Sequence, residues 1–255
     1  MTTYGILGVG SIAAAIVTGL CDGVADPPDV VLSPRNADRA ADLEARLPSV
    51  RVATDNQEVV DQSEVVIVCL LPVHASHVLS GLTFRADQAV VSAIAGLHLA
   101  RLAELVAPVT DVARSIPLPA VAARGSVTPV HPATAVAAGV FDRLGGTIEI
   151  ADEIAYESVA AASATVAAYF RYLATIADWL SGHGIPRLDA QRYVAATFGA
   201  LSTELGSPGP DFAALTQTHM TPGGLNEQFA RDIAAAGTYD AVRIGLDALL
   251  ARISP

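Results

Sequence analysis

No lysine occurs in this chain: arginine supplies all 15 of its basic residues. That absence removes the chemistries built on an amine. A Walker phosphate loop, a pyridoxal Schiff base and the dehydrogenase classes that pair a glycine-rich amino terminus with a catalytic lysine are all excluded in their usual form. Cysteine is nearly absent too. Cys21 and Cys69 make no disulfide framework, and Cys69 lies inside the apolar VVIVCLL, so a reducing, cytoplasmic setting is expected. Clusters of basic residues are missing as well. The formal net charge of -11 argues against nucleic acid or an anionic membrane as partner and for a small-molecule ligand. The apolar run GILGVGSIAAAIVTGL at residues 5–20 has no basic stretch ahead of it and is broken by Gly8, Gly10 and Ser11. Neither a signal peptide nor a spanning helix is expected from it.

What is present has a clear rhythm. TYGILGVG, DVVLS, RVAT, EVVIVCLL, AVVSAIAG, VTDVARSI, GSVTPVH and a last TIEI at residues 147–150 are short Val- and Ile-rich runs, the look of strands buried on both faces. Helical stretches follow the first (SIAAAIVTGLCDG), the second (ADRAADLEARL) and the fourth (VHASHVLSGL). This βαβ alternation implies a doubly wound parallel sheet. From about residue 151 the pattern turns helical, with SPGP and TPGG as punctuation. The expected layout is α/β: a Rossmann-type nucleotide-binding domain over residues 1–150 and an all-α domain over residues 151–255. One helix, from about Ile154 to Leu180, is apolar around most of its circumference, too much for its own chain to cover.

The opening run has a ligand-binding reading. Gly8, Gly10 and Ala13 give the G-x-G-x-x-A spacing after a strand and at the start of a helix, where Gly8 allows the tight turn and Gly10 lets backbone approach a pyrophosphate. Free N–H groups of Ser11 and Ile12 at the helix start would face the anion. The second strand then ends in SPRN, with no carboxylate for a ribose until Asp38. The turn offers Ser33, Arg35 and Asn36 to the cofactor, which points to NADP rather than NAD, with Arg35 and Ser33 on the 2′-phosphate. His74 and His77, three apart in HASH, have metal spacing but no third ligand is suggested. No metal is expected, and His74, at a strand's carboxyl end, is read as a cofactor contact.

Taken in order, GILGVGSIAAAIVTGL, SPRN, DNQEVVDQSEVVIVCLLP, VVSAIAGLHLARL and TPGGLNEQFARDIAAAGTYDAVRIGLDAL resemble the landmarks of pyrroline-5-carboxylate reductases over nearly the whole chain. The resemblance implies an NADP-binding domain, a helical domain, a homodimer built by interlocked helices and reduction of a cyclic imine. It places Asn56, Leu70, Leu71, Pro72, Ala95 and Gly96 beside the cofactor. It places Thr221 and Asn226 at the catalytic loop, with Gly223, Gly224, Tyr169 and His219 around the substrate.

Four landmarks are altered. TPGGLN stands for the family's SPGGTT, so that Leu225 and Asn226 replace a threonine pair. SATVAAYF at residues 163–170 stands for GSGPAY, IPLP replaces MPNTP, and Leu71 sits where a lysine is usual. The scaffold and cofactor carry over while the substrate is expected to differ. Asn226 is read either as a substrate contact or as a cap of its helix. Proton donors to a developing amine or alkoxide are sought among Tyr169, Tyr172, His183 and His219. Two other classes stay open: an NADP-binding protein that regulates rather than reduces, and a carbonyl or deazaflavin-linked reductase on the same fold.

Overall fold

The computed structural model describes residues 2–206 and 209–254. Of the SPGP punctuation, Ser207 and Pro208 lie outside the described residues. All eight expected strands are present: β1 Tyr4–Leu7, β2 Val30–Leu32, β3 Val50–Val52, β4 Val65–Val68, β5 Ala89–Ser92, β6 Asp111–Ser115, β7 Thr128–His131 and β8 Thr147–Glu149. They form one sheet in the order β3-β2-β1-β4-β5-β6-β7-β8.

Period-two side-chain alternation divides the core in two. Ile6, Leu32, Ile67 and Val91 point to the face covered by α1 (Ser11–Cys21), α2 (Ala37–Arg46) and α6 (Ala135–Asp142). Leu7, Val31, Val66, Val68 and Val90 point to the face covered by α3 (Asn56–Asp61), α4 (Pro72–Leu79) and α5 (Leu99–Leu105). Both faces being buried explains why the strands read as continuous apolar runs.

The expected doubly wound, mostly parallel sheet is present, with one departure. The sheet is not parallel throughout, because β7 pairs with β6 antiparallel and β8 then pairs parallel with β7. Residues 116–127 carry only a short 3-10 turn at Pro119–Ala123, with no crossover helix between β6 and β7. Without a crossover the chain doubles back. Helix α6 restores a crossover between β7 and β8.

Contacts divide the chain into two compact units. One comprises the described residues up to Ala160 with Ile253 and Ser254, and the other Ala161–Arg252. The single helix expected over 154–180 is two: α7 Glu153–Ser163 and α8 Val166–Gly182. Between them Ala164 and Thr165 donate their N–H groups three residues back, to Ala161 and Ala162, and the Thr165 hydroxyl donates to the same Ala162 carbonyl. That competition tightens the turn and ends the α ladder.

The second unit continues with α9 Arg187–Ala200, α10 Phe212–His219, α11 Leu225–Ala235 and α12 Thr238–Ile253. Its core is small. Leu173, Ile176, Ala177 and Leu180 of α8 pack on Ala190, Val194 and Phe198 of α9. Phe170, Trp179, Leu188, Tyr193 and Ile244 are left more than half exposed. By length and composition alone residues 153–182 could cross a bilayer, with mean hydropathy 1.3 over the most apolar window. Arg171 and Asp178 lie within α8, and each would cost about 2.5–3.5 kcal/mol at a bilayer centre.

Candidate cofactor and substrate sites

Gly8, just past β1, has φ +90°, and a Cβ there would stand 2.8 Å from the Cys69 carbonyl oxygen. Only glycine fits that turn. Its N–H donates to the Ser33 hydroxyl at 2.9 Å, and Asn36, itself at φ 67°, donates from Nδ2 to the Val9 carbonyl at 2.9 Å. The β2–α2 turn is thus bonded to the glycine loop at two points. Ser33 is 1% exposed, so its hydroxyl braces the loop from below rather than presenting itself to solvent.

Gly10 precedes α1 and faces open space, with nothing within 4 Å of a Cβ built on it. No side chain caps α1, so its first N–H groups are free for an anion. They open on a cavity of about 330 Å3 lined by Gly8, Gly10, Ser11, Arg35, Arg39 and His74, with Val9, Asn36, Cys69, Leu70 and Leu71. Burial pushes the Cys69 thiol up to about 12, so it is no nucleophile there.

Arg39 was not singled out from the sequence. It lies in the first turn of α2, four residues after Arg35, and that spacing acquires meaning only once the left-handed Asn36 turn is known. Neither arginine has a hydrogen-bond or ion-pair partner among the described residues. Ile12, Asn56, Pro72, Ala95 and Gly96 do not line the cavity. Ile12 is in the first turn of α1, Asn56 opens α3 behind the Asp55 cap, Pro72 opens α4, and Ala95 and Gly96 form an exposed turn after β5.

A second polar cluster in the same unit was also not anticipated. Arg114, next to the end of β6 and 1% exposed, donates from Nη1 to Glu153 Oε1 at 3.0 Å and to Glu157 Oε1 at 2.7 Å. Its guanidinium lies 4.6 Å from the Tyr156 ring centre, and burial raises that tyrosine's hydroxyl pKa. Glu153 also accepts from the Leu99 N–H, and His98 Nδ1 stands 3.5 Å from Glu157 Oε1. His98, Glu153 and Glu157 are close enough to share a metal ion. The guanidinium Nη1 bonds one oxygen of each carboxylate, so the cluster is built as an ion pair around Arg114, while Arg114 Nε, Glu157 Oε2 and His98 Nδ1 stay buried without a hydrogen-bond partner among the described residues. A lone arginine inside the apolar VARSI strand was the available signal.

In the second unit the TPGG segment makes a turn, Gly224 N–H donating to the Thr221 carbonyl at 2.8 Å. Gly223 has φ +72°, and its N–H donates to Glu227 Oε2 at 2.6 Å. Gly224 caps α11 by position, so Asn226 is the second helical residue and not a cap. Its Nδ2 instead donates to the His219 carbonyl at 3.1 Å, and His219 Nε2 pairs with Glu204 Oε2 at 2.9 Å. The structure therefore gathers His219, Thr221, Gly223, Gly224 and Asn226 around one turn and adds Glu204 and Glu227. Leu225 is 85% exposed there. Tyr169 lies on α8 with its ring 5.6 Å from Phe170.

Comparison with known proteins follows this geometry. Residues 3–96, the part that contains the glycine loop, match the family model described as NADP oxidoreductase, coenzyme F420-dependent. The pyrroline-5-carboxylate reductase of Corynebacterium melassecola is 28% identical over 94% of this chain and 93% of its own. That of Synechocystis sp. is 30% identical over 80% of this chain and 76% of its own. The fold also matches the solved 1-pyrroline-5-carboxylate reductase of Streptococcus pyogenes, with TM-score 0.82, 23% identity and coverage of 99% of this chain and 98% of that one. With a relative 30% identical over 80% of this chain and another 28% identical over 94% of it, the chain belongs to the pyrroline-5-carboxylate reductase family.

Proposed function

We propose that the protein is an NADPH-dependent reductase of a C=N bond in a cyclic imine, acting on a substrate other than pyrroline-5-carboxylate itself. The observation that carries the cofactor assignment is the pair of unpartnered arginines, Arg35 and Arg39, beside an uncapped helix start and with no carboxylate at the end of β2. Two free guanidinium groups in a chain of net charge -11 fit a phosphate monoester and would be superfluous for a bare ribose. Gly8, Gly10, Ser11 and Ile12 would hold the pyrophosphate, and Leu70, Leu71, Pro72, His74, Asn56, Ala95 and Gly96 the rest of the dinucleotide. Ser33 and Asn36 brace the loop. Bound NADPH supplies the hydride equivalent.

The substrate side is assigned to Thr221, Gly223, Gly224 and Asn226, with His219 bonded to the same turn and Tyr169 of α8 as a further substrate contact. Gly223 permits the turn, and its neighbourhood presents backbone to a polar or anionic group at the start of α11. Leu225 makes one wall apolar where the family has threonine. A substrate keeping a polar group but differing in shape from pyrroline-5-carboxylate follows. NADPH consumption measured with a panel of cyclic imines, matched ketones and pyrroline-5-carboxylate tests this: turnover of an imine faster than of every ketone is expected, and turnover of ketones alone would overturn it. The match of residues 3–96 to a deazaflavin-linked family favours one second reading, so a reduced deazaflavin with NADP belongs in the same panel.

The protein is further read as a homodimer in the cytoplasm. Phe170, Trp179, Leu188 and Tyr193 are 61–67% exposed on α8 and α9, more large apolar surface than a stable monomer leaves bare. A second copy covers it in this reading. Light scattering at micromolar concentration should give twice the chain mass, and a stable monomer would refute the assembly.

A further inference from the structure

Four side chains were candidates to handle a proton in the helical half, and their surroundings separate them. Tyr169 packs beside Phe170, and Tyr172 meets Phe198 edge to face with ring centres 5.9 Å apart. His183 Nδ1 is bonded to the Trp179 carbonyl of its own helix at 2.8 Å, and its ring stacks 4.1 Å from the indole. Each is engaged by its own helix or by another ring. His219 alone of the four is paired with a carboxylate.

Two contacts and its place at a helix end fix that histidine. Nε2 faces Glu204 Oε2 at 2.9 Å, its carbonyl accepts from Asn226 Nδ2 at 3.1 Å, and its backbone is the last residue of α10. Asn226 is the residue that stands in place of the family's second threonine. It spends its amide on holding α10 to the turn, and leaves no hydroxyl there to give a proton. Nδ1 of His219 has no partner among the described residues. His219 lies two residues before Thr221, and its side chain is 47% exposed, open to water for reprotonation. Of the charged groups on the elements bonded to it, Glu204 is its partner, Glu227 is committed to the Gly223 N–H, and Arg231 and Asp232 further along α11 pair with each other.

We infer that His219, oriented through Nε2 by Glu204, delivers the proton that converts the bound imine to an iminium. This rests on the TPGG turn being the substrate side, as proposed above. The imidazolium gives its Nδ1 proton to the imine nitrogen. The hydride equivalent adds to the carbon, and the C=N π pair becomes the nitrogen lone pair of the amine. Neutral His219 then takes a proton from water. His219 is the catalytic residue of this step and Glu204 its positioning residue.

The test uses the full-length protein with every cyclic imine that the parent reduces, and the N-methyl iminium of the same ring, which carries its charge permanently and needs no proton. His219→Gln should lower kcat on the imine at least 30-fold and leave the N-methyl iminium within threefold of the parent. The parent's alkaline loss of kcat/KM should lose its enzyme-dependent part, leaving the imine's own titration. Glu204→Gln should lower kcat by less, about tenfold. The Kd of the saturated cyclic amine, by calorimetry, should stay within threefold in both variants, with Tm nearly unchanged. Equal losses on imine and iminium, or a His219→Gln pH profile identical to the parent's, would overturn the inference while leaving the reductase assignment intact. A parent that reduces no imine would overturn both.

Discussion

Arg114 and Glu157 form an ion pair with 2.7 Å between Nη1 and Oε1, each side chain being at most 2% exposed. The pair ties the end of β6 to α7, and through Glu153 and the Leu99 N–H it reaches the start of α5. Removing one partner leaves a buried charge uncompensated, which costs about 3–5 kcal/mol. Glu157→Leu and Arg114→Met should each lower the unfolding free energy by that order. The double variant should recover part of the loss, because the buried pair is removed together and only the partly exposed Glu153 loses its arginine partner. Urea unfolding of the three variants checks this, and additive losses would show the pair to be unimportant.

The two glycines of the cofactor loop should fail in different ways. Gly8→Ala puts a side chain at φ +90° against the Cys69 carbonyl, so the fold itself should lose about 1–3 kcal/mol. Gly10→Ala meets nothing in the protein and should keep the parental Tm. It should weaken NADPH binding tenfold or more, since the methyl occupies the space where the pyrophosphate approaches backbone. A Gly10→Ala protein with parental Kd would place the dinucleotide elsewhere.

Arg35→Ala and Arg39→Ala should each weaken NADPH with little change for NADH. A charge-assisted hydrogen bond is worth about 1.5–3 kcal/mol, or roughly 10- to 100-fold in Kd. Fluorescence titration of both nucleotides gives the ratio. A parent that binds NADH as tightly as NADPH would refute the 2′-phosphate assignment, and a loss confined to Arg35→Ala would remove Arg39 from it.

Cys69 predicts an alkaline weakness. Its thiol titrates at about 12 in the fold. In the unfolded chain a thiol titrates near its ordinary value, about 8.5, so the unfolded state gives up a proton first as pH rises. The stabilisation is complete below that value and is lost progressively towards pH 12. By pH 10 the loss reaches roughly 2 kcal/mol. Melting curves at pH 7 and pH 10 should show a larger fall in Tm for the parent than for Cys69→Ala. Equal falls would mean that the thiol is not the group responsible.

What could be read from sequence follows from what is local. Eight Val- and Ile-rich runs mark eight strands because burial on both faces leaves no polar alternation to confuse them. The spacing of Gly8, Gly10 and Ala13 and the lack of an acid in SPRN speak for the nucleotide loop within some 30 residues. The TPGG turn is legible because glycine is required where φ is +72°. Tertiary structure decided the rest. Whether β7 runs with or against β6 depends on a connection too short for a crossover helix, which strand propensity does not record. Arg114 lies some 40 residues before Glu153 and Glu157, and the three become one group only when α7 packs on the sheet. Glu204, 15 residues before His219, meets it only because the chain returns through α10. Asn226 reads equally as a cap or a ligand contact from its neighbours, and a carbonyl seven residues back turned it into a strut. Spacing along a chain determines helices, strands and turns, whereas pairing of charges is set by distance in space, which only packing provides.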